Sequence, residues 1–463
     1  MSFINTIRSK MSGSRDRDMT EGNIFNHIVA FAIPLLLGNV FQMLYNTVDT
    51  WVVGKFVSDE AFSAVGTLNS VTNLLISFFW GLSGGAGVVI SRYFGAGKKE
   101  KVSAATHTAI AMTLIMSVAF TIIGILLIPL MLNILEMPPE VEREANTYLL
   151  IWFSGISGLM FYNIGSGIMR AVGDSTRPFM YLIISAITNT VLDLVFVLVF
   201  RMGTAGVALA TIVSQFLSAI LVMASLIRNS SAAKISIKAI KIDVPILKNI
   251  VIIGIPTALQ MSITSFSNMF VQSYINYFGT ASMGGWTAYN KVIQVVMLPM
   301  QSLGLASTTI VGQNLGKGYI KRAEKSANTA FLMCLTCTLV LIIPVVIFAP
   351  QLVSFFNSNA EIIEAGKNYL RFLTPFYLLW TVNQIYAGAL RGAGRSTSTM
   401  VIMLSSFVAF RQLYLFVISR IINTPISIAL GYPLGWIIAS VSTFIYYKKV
   451  GLVVKTKKKI DLD

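Results

Sequence analysis

Residues 33–54 read IPLLLGNVFQMLYNTVDTWVVG, a run long and apolar enough to cross a bilayer as a helix. About 20 such residues at 1.5 Å rise cover the hydrocarbon core. Near its far end the run carries a carboxylate, Asp49. An acid inside a span costs a few kcal/mol on insertion scales, so it is a functional-site candidate by default. The bland alternative is that Asp49 lies close enough to the end of the span to reach headgroup water. A second acid at similar depth, Asp193, argues against that.

Working outward, the 463-residue chain is 55% hydrophobic and only 12% charged, too apolar for a soluble domain of its length. Its periodicity divides it into about twelve apolar segments of spanning length, among them a fourth at 145–168 and a tenth at 368–390. Gly and Pro inside these segments favour helices, because barrel strands are about half as long and alternate polar with apolar residues. Residues 1–23 are polar, with Arg8, Lys10, Arg15 and Arg17 and no short apolar core, so no cleavable signal peptide is expected and the first span targets the protein.

The net charge of +16 does not point to nucleic acid, since the basic residues are spread over short loops. Most of the 35 Lys and Arg fall on the side shared by the N-terminal tail, the central linker and the C-terminal tail. That side is therefore cytoplasmic, and a multi-pass protein of the cell's inner membrane with both termini inside is expected. Cys334 and Cys337 have no His or acid nearby to complete a metal site. The loop glycines Gly95, Gly97, Gly316 and Gly318 lack the spacing of a phosphate loop and mark tight turns. No catalytic constellation, and no cofactor beyond a coupling ion, is expected.

The chain repeats itself. A shift of about 221 positions aligns ISRYFGAGKKEKVSAATHTA from Ile90 with VGQNLGKGYIKRAEKSANTA from Val311, and RAVGDST from Arg170 with RGAGRST from Arg391. Six spans per repeat give both halves the same orientation, so the symmetry axis runs along the membrane normal. The expected fold class is an all-α polytopic membrane protein, twelve transmembrane helices in two six-helix bundles related by a pseudo-two-fold along that normal. Its parts are a cytoplasmic tail (1–23), an N-terminal lobe (24–228), a cytoplasmic linker (229–245), a C-terminal lobe (246–447) and a second cytoplasmic tail (448–463). The alternating Lys and Ile of the linker suit either a strip on anionic lipid or a solvated connector. Pro34 and Pro256, each early in the first span of a half, remove a backbone donor and are expected to kink it.

Rise per residue places Asp49 roughly 7 Å below the end of the first span, and Asp193 and Thr211 roughly 10 Å below the ends of the fifth and sixth. Asn189 lies one turn from Asp193, and Asn46 and Tyr45 precede Asp49 on its own face. Two carboxylates close together in low dielectric cannot both stay ionised, so one holds a proton or the pair shares a cation. Hard oxygens from Asp49, Asp193, Asn189 and Thr211 suit Na⁺ as well as H⁺. The competing reading is that the acids only cross-link helices. In the second half the equivalent positions are approximately Val271 and Tyr414, so packing does not require acids there. Gln42, Asn163 and Arg411 are further polar cavity candidates, although most intramembrane polar residues are helix-to-helix glue.

The opening IP-x3-G-N-x6-N-x2-D, the Asn189-x3-Asp193 pair, the GTAGVALAT run ending at Thr211 and the duplicated R-x2-G-x-S-T loops resemble the multidrug and toxic compound extrusion (MATE) family across nearly the whole chain. The resemblance implies a twelve-helix antiporter in two lobes that exports amphipathic, often cationic, organic compounds in exchange for H⁺ or Na⁺, with the lobes rocking between inward and outward states. It also implies that Asp49, Asn189, Asp193 and Thr211 form the first-lobe cation site of the bacterial and archaeal branch. The seventh and tenth spans carry none of the acids that some members have there. Expected partners are small amphipathic molecules and the bilayer, with no nucleic acid, and a monomer is expected. The alternative on the same architecture is a flippase or exporter of lipid-linked oligosaccharide or another lipid precursor.

Overall fold

The computed structural model describes residues 16–57, 59–135, 137–228 and 231–452, leaving aside the side chains of residues 45, 46, 49–51, 53, 59–63 and 69–71. Among the described residues the chain is helical throughout, with no strand. In the first half, α1 is Ile24–Phe56, α2 Asp59–Gly95, α3 Lys99–Ile134, α4 Pro139–Ser154, α5 Ile156–Ala171, α6 Thr176–Leu194 and α7 Gly203–Arg228. In the second, α8 is Val244–Asn276, α9 Thr280–Gly316, α10 Ile320–Ile347 and α11 Ala349–Ser354. There follow α12 Ala360–Leu373, α13 Tyr377–Gly392, α14 Ser396–Leu404, α15 Arg411–Ile421, α16 Pro425–Ala429 and α17 Gly431–Val450. Helices α1 and α8 run on through Pro34 and Pro256.

The repeat seen in the sequence recurs in the helix ends. Asp59–Gly95 and Thr280–Gly316 differ by 221 residues at both ends, and so do Ile156–Ala171 and Tyr377–Gly392. Even the interruptions correspond. The expected fourth span is a pair of helices, α4 and α5, bent by 46°. At the bend a Cβ on Gly155 would collide with the Ile212 side chain, so glycine admits α7 there. The expected tenth span is likewise two helices, α12 and α13, separated by a 3₁₀ turn at Thr374–Phe376. Pro375 in that turn has no N–H to continue a helix. For this reason ten helices, or eleven with the bent pair counted as one span, pass as long and apolar enough to cross a membrane among the described residues.

Two compact units emerge, and their limits are not those of the expected lobes. Of the described residues, 16–18 and 37–251 form one, and 19–36 and 252–452 the other. The start of α1 thus belongs with the second half. Ile24, Ile28, Phe31 and Ala32 bury in that half's core. The segment before them is fixed in the same unit by polar contacts: Met19 N–H donates to Gln313 Oε1 (2.9 Å), and Arg322 Nη2 donates to the carbonyls of Glu21 (2.8 Å) and Gly22 (2.9 Å).

Within the first unit the linker is tied to the rest of the unit by several hydrogen bonds. Asp16 accepts from Ser231 Oγ and Ala232 N–H, both at 2.7 Å. His107 accepts from Ser236 N–H through Nε2 (2.9 Å), which leaves Nδ1–H to donate to the Ser103 carbonyl (2.7 Å). Ala233 and Ile235 turn inward while Ile237 is exposed.

Small residues set helix contacts in both units at equivalent positions. In the second, a Cβ on Gly388 of α13 would lie 2.6 Å from the Gly304 carbonyl of α9. In the first, a Cβ on Gly167 would meet Ser83, whose hydroxyl donates to the Asn163 carbonyl at 2.7 Å. Close backbone approach of this kind is how helices pack where lipid removes the hydrophobic drive between them. Gly388→Val should therefore force α9 and α13 apart and destabilise by about 1–3 kcal/mol, seen as a lower thermal midpoint of the purified protein. Gly84→Ala, where a Cβ meets nothing within 4 Å, should leave that midpoint unchanged.

Candidate functional site

Helices α6 and α7 carry three of the polar residues singled out in the first half, Asn189, Asp193 and Thr211. They form an antiparallel hairpin closed by a short connection in which Arg201 adopts φ +53° and Gly203 φ +55°. A left-handed non-glycine residue costs about 1–2 kcal/mol, and here it keeps the turn tight. The register follows from one bond: Ser185 Oγ on α6 donates to the Ser214 carbonyl on α7 at 2.6 Å. One turn further along α6 lies Asn189, and one turn back along α7 lies Thr211, so the two share a level. Asp193 is one more turn on, roughly 6 Å along the axis. Immediately after Asp193 the helix widens into a π turn, Val195–Val199, a feature frequent at functional sites.

All three side chains are buried, Asp193 at 0%, Asn189 at 1% and Thr211 at 7% exposure. Thr211 Oγ1 gives its proton to the Val207 carbonyl at 3.0 Å, so its oxygen is left as an acceptor or ligand. The amide of Asn189 has no hydrogen-bond partner on either its nitrogen or its oxygen among the described residues. Leaving a buried polar group unmade costs about 1–3 kcal/mol. A side chain whose purpose was to join helices would be bonded. Thr204 Oγ1, at the start of α7, is also buried and unbonded among the described residues.

Asp49, Asn46 and Tyr45 lie on α1, and their side chains fall outside the described residues. Gln42 is half-buried on the same helix. Asn163 lies on α5, where its amide nitrogen donates to the Leu159 carbonyl at 3.0 Å, tying it to its own helix. Arg411 belongs to the second unit. No cluster of three or more His, Cys, Asp or Glu able to hold a metal occurs among the described residues.

The second half lacks this arrangement at the matching turns. The counterpart of Asn189 is Phe410, and that of Asp193 is Tyr414, whose hydroxyl donates to the Ser427 carbonyl at 2.8 Å. Two features escape a reading of residue patterns: the π turn beside Asp193 and the unbonded state of Asn189. Neither has a local sequence signal, although the Ser185 and Ser214 positions at helical spacing hint at the polar seam.

Comparison with known proteins gives one consistent result. The MatE family model matches residues 34–195 and 256–416, one block in each half. The chain is 28% identical over 437 residues to the probable multidrug resistance protein YpnP of Bacillus subtilis, covering 93% of this chain and 96% of that one. It is 26% identical over 436 residues to the probable multidrug resistance protein YoeA of the same organism, with coverage of 92% and 94%. Among solved structures, an outward-facing multidrug resistance MATE family transporter of the MOP superfamily superposes with a TM-score of 0.88. That likeness covers 94% of this chain and 98% of that one at 23% identity, and it concerns the fold.

If Asn189 is a ligand and not a cross-link, Asn189→Leu should leave the thermal midpoint unchanged or raised, because an unbonded amide is replaced by an apolar group of similar size. A fall of several degrees in a melting curve of the purified variant would assign Asn189 to packing.

Proposed function

This chain belongs to the MatE family, and on that premise we propose that it is a secondary antiporter that exports amphipathic organic compounds, cationic ones among them, in exchange for H⁺ or Na⁺. The observation that carries this reading is the Asn189 amide, buried and without a partner among the described residues one turn from the wholly buried Asp193, where the second half has Phe410 and Tyr414. The relatives bearing the name of multidrug resistance proteins support the class of cargo, and nothing comparable favours the lipid-linked oligosaccharide reading.

The chemistry follows from desolvation. A carboxylate in low dielectric is stable only when neutralised, either by a proton or by a bound cation. Asp193, with Asp49 as its counterpart on α1, would take up the incoming ion, while Asn189 and Thr211 supply neutral oxygens around it. Na⁺ uses these hard oxygens directly. H⁺ needs only the carboxylates, and the neutral groups then stabilise the protonated acid. Cargo and ion need not touch. If each favours a different state of the two halves, binding one weakens binding of the other, and alternating access by rocking of the lobes converts that antagonism into exchange. One unit charge moving inward yields about 2.3 kcal/mol per 100 mV. In this reading the protein works as a monomer in the cytoplasmic membrane with both termini inside.

Asp193→Asn and Asp49→Asn should each abolish gradient-driven dye export in proteoliposomes, with both variants still folded. Full export by either variant would contradict the mechanism. Imposing pH and Na⁺ gradients separately on the unmodified protein identifies the ion, since only the coupled gradient should drive export.

A further inference from the structure

The second unit buries a positive charge with no carboxylate paired to it among the described residues. Arg411 opens α15 in the middle of a span, roughly 15 Å along the helix from Ile421, and is 2% exposed. Between residues 252 and 450 the sequence contains only three acids, Glu324, Glu361 and Glu364, all near the starts of α10 and α12. No ion pair to Arg411 occurs among the described residues. A desolvated guanidinium without a counter-charge is strongly unfavourable in a span.

Its neutral surroundings hold it in place without cancelling its charge. Nη2 donates to Ser267 Oγ at 2.7 Å. That hydroxyl also accepts from Gln412 Nε2 at 2.8 Å and gives its own proton to the Phe407 carbonyl at 3.1 Å. Phe407 lies in a π turn, Ser405–Phe410, directly before Arg411. With one proton given and two received, Ser267 Oγ has no capacity left. The guanidinium carbon lies 4.7 Å from the ring centre of Tyr432, and the planar group is thereby oriented. Nε–H remains, buried and with no acceptor among the described residues. Around the Tyr432 ring stand Trp286, at 5.7 Å between centroids, and Trp436, at 5.9 Å, with Trp380 5.9 Å beyond. Tyr432 is itself half-buried, and its hydroxyl reaches the exposed Asn268 at 3.4 Å, so its ring covers the guanidinium from an accessible side.

From these groups we propose that Arg411 and the aromatic side chains around it form a binding site for an aromatic carboxylate. The carboxylate accepts from the free guanidinium edge and supplies the missing negative charge, and the aryl body takes the place of the Tyr432 ring among the tryptophans. Position favours a mobile small anion over a lipid headgroup, which cannot reach mid-span. The site stands apart from the cation exchange proposed above, since its occupancy is read without transport.

Intrinsic fluorescence tests it, because Trp286, Trp380 and Trp436 are three of the six tryptophans. The purified protein is titrated with 4-nitrobenzoate and, separately, with 4-nitrobenzamide, a quencher of the same shape without the charge. The expected result is saturable quenching by the carboxylate at a concentration at least tenfold below that needed for the amide. Arg411→Gln should remove this preference and raise the carboxylate's half-saturation at least tenfold, while Arg411→Lys retains a weaker preference. Equal half-saturation for the two probes on the unmodified protein overturns the proposal, whether or not Arg411→Gln folds. So does unchanged carboxylate binding in a folded Arg411→Gln protein.

Discussion

A polar side chain placed where water cannot follow must find a partner or receive one, and this constraint organises the molecule. Its backbone obeys by being helical along each apolar stretch, which satisfies most N–H and C=O groups within the segment. Most of its buried hydroxyls obey by bonding back to a carbonyl: Thr211 to Val207, Ser302 to Leu298, Thr338 to Cys334. Against that background the buried groups that do not comply call for a reason, and two of them lie at the candidate sites. Asn189 in the first half and the Nε–H of Arg411 in the second are buried without partners among the described residues. Both belong to helices interrupted by a π turn.

The two halves use one scaffold for opposite electrostatics. Helix ends repeat at a spacing of 221 residues, and the fourth and tenth spans break at corresponding points. Yet the turn that holds Asn189 and Asp193 in one half holds Phe410 and Tyr414 in the other. A duplicated frame that tolerates both sets shows that packing does not dictate the acid. Function is then the economical reason for a buried carboxylate in the first half.

Much of this was legible from residues alone. Apolar runs of spanning length, the internal match from Ile90 to Val311 and the basic loops gave a helical membrane protein of two similar halves. Asn189, Asp193 and Thr211 stood out because each is polar at a similar depth, and all three are buried on two adjacent helices. What escaped depends on long-range partners. The start of α1 joins the second unit because Arg322, some 300 positions on, captures the carbonyls of Glu21 and Gly22. The contact of His107 likewise exists only because the linker folds back to place Ser236 N–H on its ring. The π turns have no composition of their own, being Val-rich in one case and Ser/Phe-rich in the other.

The central claim is that a cation held near Asp193 and the exported compound antagonise each other's binding. Linkage makes this measurable without any gradient, since antagonism must be reciprocal. The direct measurement is the cation released when a transported dye is added to the purified protein, as protons in weakly buffered solution or as labelled Na⁺ at equilibrium. The account predicts that dye binding displaces one of these ions from the unmodified protein and none from a protein lacking the Asp193 carboxylate. Dye binding that leaves both ions undisturbed would contradict it.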